Sequence, residues 1–216
     1  MKRRKGCLWV IFLLEWIALI AQSVVHMQAS PADRIEAVIR LFSFFTILTN
    51  LLVGVCFTSL LFPPRNGQVG PFQKPSMQTA VTMYITVVGL VYSIALRGLW
   101  HSGPLQTVLH ETLHTVIPLL VIVYWFFWVD AKTLRYKNVL PWLIYPAAYC
   151  VFVLFLGSLS HWYPYPFLNP ITLSASRVFR NCMTLTGVFV LFSLIYVYWG
   201  RKKRPPSANQ SFPSSR

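Results

Sequence analysis

Acidic side chains are scarce. Five Asp and Glu stand against 19 Lys and Arg, and charged residues of both signs make up 11% of the 216 residues. A soluble domain of this size carries roughly 25% charged residues, so the shortage excludes a separate water-exposed domain. It also deprives a metal site of carboxylates, since Asp130 is the only Asp or Glu after Glu111. Cysteine is sparse too. Cys7, Cys56, Cys150 and Cys182 show no framework spacing, which predicts free buried thiols rather than disulfides. No internal repeat is visible, which disfavours a transporter built from repeated halves.

What the chain has is apolar length. Hydrophobic residues make up 56% of it. An α-helix crosses the hydrocarbon layer of a bilayer in about 20 residues. Six stretches qualify, at approximately 8–27, 36–62, 77–98, 108–129, 139–159 and 179–199. They predict an all-α polytopic membrane protein, with one six-helix domain over residues 1–204 and a disordered Pro/Ser/Asn-rich tail over 205–216. Lys2, Arg3, Arg4 and Lys5 ahead of an apolar run imitate a signal peptide. The run is too long, Glu15 interrupts it and no small-x-small site follows, so the expectation is a retained first span. Glu15 itself is expected to make a helix–helix hydrogen bond.

Charge orients the spans. Basic residues gather at both termini and in the loops after spans 2 and 4, while the opposite loops are poorer. The positive-inside rule then places both termini in the cytoplasm of a plasma-membrane protein. The net charge of +14 reads as this topology plus contact with anionic headgroups. Nucleic acid is not an expected partner, because the basic residues sit at span ends. Trp9, Trp16, Trp100, Trp142, Trp162 and Trp199 fall near span ends and read as an interfacial belt. Pro118 and Pro146 lie inside spans 4 and 5 and should kink them around a cavity.

His110, Glu111, Thr112, Leu113 and His114 spell H-E-x-x-H. On an α-helix the two histidines share a face and can hold zinc, with Glu111 as general base. A catalytic zinc normally needs a third protein ligand. Asp130 lies 16 residues beyond His114, about 24 Å along a straight helix. His26, Asp33, Glu36, His101 and His161 are the remaining candidates, without diagnostic spacing.

Three further segments stand out: Phe45-Thr46-Ile47-Leu48-Thr49-Asn50, His114-Thr115-Val116-Ile117-Pro118, and His161-Trp162-Tyr163-Pro164-Tyr165-Pro166-Phe167-Leu168. Together they resemble the androgen-induced and androgen-dependent membrane hydrolases, especially their shorter bacterial six-span relatives, over spans 2 to 6. The resemblance implies a hydrolase of lipid or fatty-acyl esters, such as fatty acid esters of hydroxy fatty acids, with Thr46 as nucleophile, His114 as its histidine and no cofactor. The chain departs from the animal sequences in its longer His110-to-His114 spacing, in the offset of Pro118 and in its Thr49-Asn50 pair.

The chemistry is coherent, because histidine near neutral pH can take the proton of a threonine hydroxyl. Counting along straight helices puts Thr46 about 15 Å and His114 about 9 Å below the outer boundary. Asn50, one turn from Thr46, is a candidate oxyanion donor. His110 and Glu111 then stand at the cavity mouth, and His161, Trp162, Tyr165 and Phe167 form a cleft or lid. Arg40 is expected to pair with Glu36, and Arg97 to reach outward. Two alternatives stay open: a non-enzymatic transporter or assembly partner with Glu15, Arg40, Arg97 and Glu111 as its polar path, and a zinc hydrolase using His110 and His114.

Overall fold

The computed structural model describes residues 2–29, 33–64, 68–98 and 103–203. Trp100, His101 and the tail 205–216 lie outside the described residues. Every regular element among the described residues is helical: α1 (Lys2–Ala29), α2 (Arg34–Phe42), α3 (Phe45–Leu61), α4 (Pro75–Val91), α5 (Pro104–Glu111), α6 (Ile117–Trp128), α7 (Val139–Ser160) and α8 (Ala175–Lys202). Five helical stretches are long and apolar enough to cross a membrane, and the bent pair α2–α3 makes a sixth if taken as one span.

That bend corrects the expected second span. The chain turns by 74° between α2 and α3, so 36–62 is two helices. Asp33 caps α2, its carboxylate accepting from the Ile35 and Glu36 amides at 2.8 and 3.2 Å. The helix then tightens and stops: Ser43 N–H bonds the Arg40 carbonyl and Phe44 N–H that of Leu41. The Tyr149 hydroxyl donates to the Ser43 carbonyl at 2.7 Å, satisfying a group freed by the break. Hydrophobic pattern alone hid this, because the amphipathic α2 runs into the apolar α3 with no Gly or Pro between them.

The central helix is α4, which packs on α3, α6 and α8. Its residues from Gln78 to Ile85 are all buried. By contrast α7 exposes Leu140, Ile144, Val151, Phe155 and Leu159. Their spacing of four or seven marks one outward apolar stripe. Trp9 and Trp199 are exposed as a belt requires, but Trp142 is buried and donates to Ser76, and Trp16 packs inward on Gly54 and Thr58.

Both chain ends stand at one end of the bundle. Arg4 donates to the Tyr124 hydroxyl at 3.1–3.2 Å. Lys203 donates to the carbonyls of Trp125 and Phe126 and caps α6. Burial there pulls the Lys203 amine down to about 8, against the opposing pull of Asp130.

Two π-helical turns, Tyr92–Leu96 and Thr112–Val116, pack against each other at the opposite end. The second has a visible cause. Pro118 has no N–H to give the His114 carbonyl four residues back, and its ring crowds that position. The helix widens instead, and Ile117 N–H bonds the Thr112 carbonyl.

Candidate functional site

Thr46 is the second residue of α3, just past the break. Elsewhere threonines bond the carbonyl four residues back: Thr58 to Gly54, Thr79 to Pro75, Thr82 to Gln78, Thr186 to Cys182. Thr46 has no turn of its own helix behind it, so that bond is denied to it. Its hydroxyl lies beside the Tyr165 phenol, and its backbone N–H donates to that phenol at 3.5 Å. The expected depth of Thr46 is corrected by the same break, because the preceding residues run aside rather than above it.

His114 sits on the π turn that packs on α1, α3 and α4. Its Nδ1 lies 2.8 Å from the His110 carbonyl oxygen. A carbonyl only accepts, so Nδ1 carries the proton and Nε2 keeps its lone pair. The Tyr92 ring stacks on the imidazole at 4.2 Å, and Gly89 lets the α4 backbone approach. A Cβ on Gly89 would come within 2.9 Å of the His114 carbonyl oxygen.

Thr46, His114 and Tyr165 line one cavity of about 730 Å³, with Gln22, His26 and His110 toward its polar side. A second, apolar cavity of about 140 Å³ lies between α3, α4, α7 and α8 and is lined by Pro146, Cys150, Phe167 and Cys182. Thr46 and Tyr165 belong to both walls. No hydrogen bond joins Thr46 to His114, though both face the same cavity.

The remaining candidates fall into place around this centre. Asn50 is fully buried and lines neither cavity; its amide donates to the Thr46 carbonyl at 2.9 Å, and its Oδ1 has no partner among the described residues. One of its two N–H donors is thus taken by its own helix, and the side chain is set apart from the cavity walls. His110 shares a hydrogen bond with Gln106 at 3.0 Å. Glu111 is engaged by Arg97 at 2.7 Å, Thr115 at 2.8 Å and Tyr92 at 3.0 Å. Arg97 is thus a partner of Glu111 rather than a group reaching freely outward. Arg40 pairs with Glu36 as expected and covers the Trp162 ring at 5.1 Å.

Among the described residues no three His, Cys, Asp or Glu side chains stand together to hold a metal. The π turn begins inside H-E-x-x-H, at Thr112, and the His110 and His114 rings still meet edge-on at 5.8 Å. His161 is exposed, caps the end of α7 with φ 55°, and lines neither cavity. Trp162 packs edge-on against Phe44 at 5.8 Å. Phe167 lines the apolar cavity and stacks under Tyr165 at 5.1 Å. The thiols of Cys150 and Cys182, 32 residues apart, meet at 3.3 Å. Sequence spacing gave no signal for that pair.

Glu15 corrects another expectation. It is fully buried against Gly54, and neither carboxyl oxygen has a partner among the described residues. The expected interhelical hydrogen bond is not made among the described residues.

Comparison with protein-family models, with curated proteins and with solved structures finds no match to the chain.

Proposed function

We propose that the chain is an integral membrane hydrolase of lipid-like carboxylic esters, with Thr46 as nucleophile and His114 as general base. The observation that carries the reading is the shared cavity: a threonine denied its usual backbone bond and a histidine tied at Nδ1 line the same space. Thr46 Oγ attacks the ester carbonyl while His114 Nε2 takes the hydroxyl proton. Collapse returns that proton to the leaving alkoxide and leaves acyl-Thr46, which a water then cleaves by the same relay. The adjoining apolar cavity suits an acyl chain entering from lipid. The resemblance of the Thr46, His114 and Tyr165 segments to the androgen-induced and androgen-dependent hydrolases points the same way.

The proposed orientation puts both termini in the cytoplasm of the plasma membrane and the cavity toward the outer face. Its support is the basic residues at both chain ends, which stand together away from the cavity. α2 carries Ile35, Val38, Ile39 and Phe42 exposed on one stripe, the pattern of a helix lying in an interface.

The test is ester turnover by the purified protein in detergent and in liposomes. Thr46→Ala and His114→Ala each lower hydrolysis of a long-chain p-nitrophenyl ester by at least about 10³-fold. His110→Ala lowers it by less than about tenfold, as expected of a general group outside the chemistry. Turnover that survives Thr46→Ala sinks the proposal. Stoichiometric zinc that disappears with His110→Ala shifts the reading to a metallohydrolase.

A further inference from the structure

An ester-cleaving threonine needs more than a base. Attack turns the carbonyl oxygen into an oxyanion, and in an apolar surrounding that charge requires a donor held about 2.7–3.1 Å away. Asn50 donates one amide N–H to the Thr46 carbonyl and lines neither cavity. The donor must come from elsewhere on the walls around Thr46.

We propose that the Tyr165 phenol is that donor, so that Tyr165 is a catalytic residue and not only a lid. The inference rests on the hydrolase reading of Thr46. Tyr165 and Thr46 both line the smaller cavity and the larger one. A carbonyl carbon brought to the Thr46 hydroxyl therefore has its oxygen beside Tyr165. The neighbouring phenols are committed: Tyr149 donates to the Ser43 carbonyl at 2.7 Å, and Tyr145 shares a hydrogen bond with Thr49 at 3.1 Å. Tyr165, by contrast, accepts from the Thr46 N–H at a long 3.5 Å, a bond easily surrendered to a stronger acceptor.

That amide belongs to the first turn of α3, where N–H groups have no helical acceptor, and Phe44 supplies no side-chain cap. The Thr46 N–H points toward the phenol oxygen, so an oxyanion seated beside the Thr46 hydroxyl has both donors within reach. As the tetrahedral intermediate forms, the carbonyl electron pair moves to oxygen, and both donors turn to it. When it collapses, the pair returns, the C–O bond to the alkoxide breaks, and Tyr165 keeps its own proton throughout.

Burial pushes the Tyr165 phenol up, against the pull of the Thr46 hydroxyl, the Thr46 and Phe45 amides and the Tyr149 phenol. The phenol therefore remains a donor across the physiological range. The ring is fixed for the task by Phe167, stacked at 5.1 Å, and by Phe44, edge-on at 5.9 Å.

Tyr165→Phe removes one atom and keeps both ring contacts. The experiment compares wild type, Tyr165→Phe and Thr46→Ala in p-nitrophenyl butyrate turnover and in the rate of labelling by a fluorophosphonate probe, with the melting temperature as the check on folding. Tyr165→Phe lowers kcat and the labelling rate by about 10²-fold, with KM within about twofold of wild type. A lid that only closes the site would instead raise KM and spare kcat. Thr46-dependent turnover that Tyr165→Phe leaves within about threefold, or a defect confined to KM, overturns the assignment while the hydrolase reading stands. Activity that persists in Thr46→Ala overturns both.

Discussion

Position within a helix decides what a threonine hydroxyl can do. Thr79 and Thr82 sit mid-bundle with a carbonyl one turn back and spend their hydroxyls there. Thr46 has no such carbonyl behind it, because α3 begins one residue before it, and its hydroxyl lies beside the Tyr165 phenol instead. His161 shows the converse, a polar residue explained by backbone geometry alone. It caps α7 in the left-handed region at φ 55°, where glycine is at ease and a β-branched residue is strained. His161→Gly should therefore match or exceed wild type in melting temperature and keep full Thr46-dependent labelling. His161→Val should cost about 1–2 kcal/mol. Loss of labelling in a folded His161→Gly would show that the imidazole serves the site. Motifs in the sequence singled out Thr46, His114 and Tyr165, and the fold brings all three to one cavity. The fate of Asn50 was not legible in the sequence, because nothing in its spacing says whether its amide turns to a ligand or to its own helix.

Helix count was legible at the scale of elements, because apolar runs of about 20 residues leave little choice. The interruptions were not. The break at Ser43 carries no Gly or Pro, and it is held by Tyr149 from a helix more than 100 residues away. The π turn at Thr112–Val116 was half legible: Pro118 announces a distortion, but whether it becomes a kink or a widened turn depends on what packs behind it. What packs behind it is Gly89. A Cβ there would meet the His114 carbonyl oxygen at 2.9 Å and Pro118 at 3.3 Å, and backbone cannot yield as a flexible side chain does. Gly89→Ala should lower stability by about 1–3 kcal/mol and slow Thr46 labelling by displacing the π turn. A Gly89→Ala protein with wild-type melting and wild-type labelling would show that the close approach does not position His114.

The whole molecule is a bundle with unlike ends. At one, Arg4 and Lys203 draw both chain termini onto the end of α6. At the other, the helix break, the two π turns and the aromatic loop after α7 surround two cavities that meet at Thr46 and Tyr165. Every departure from regular helix that shapes the site lies at that end. The most direct measurement is to map the probe adduct: incubate the purified protein with a fluorophosphonate, digest it and locate the added mass. The account predicts one adduct, on Thr46, present in wild type and lost in His114→Ala. An adduct on another residue, or none in protein that is turning over ester, would contradict it.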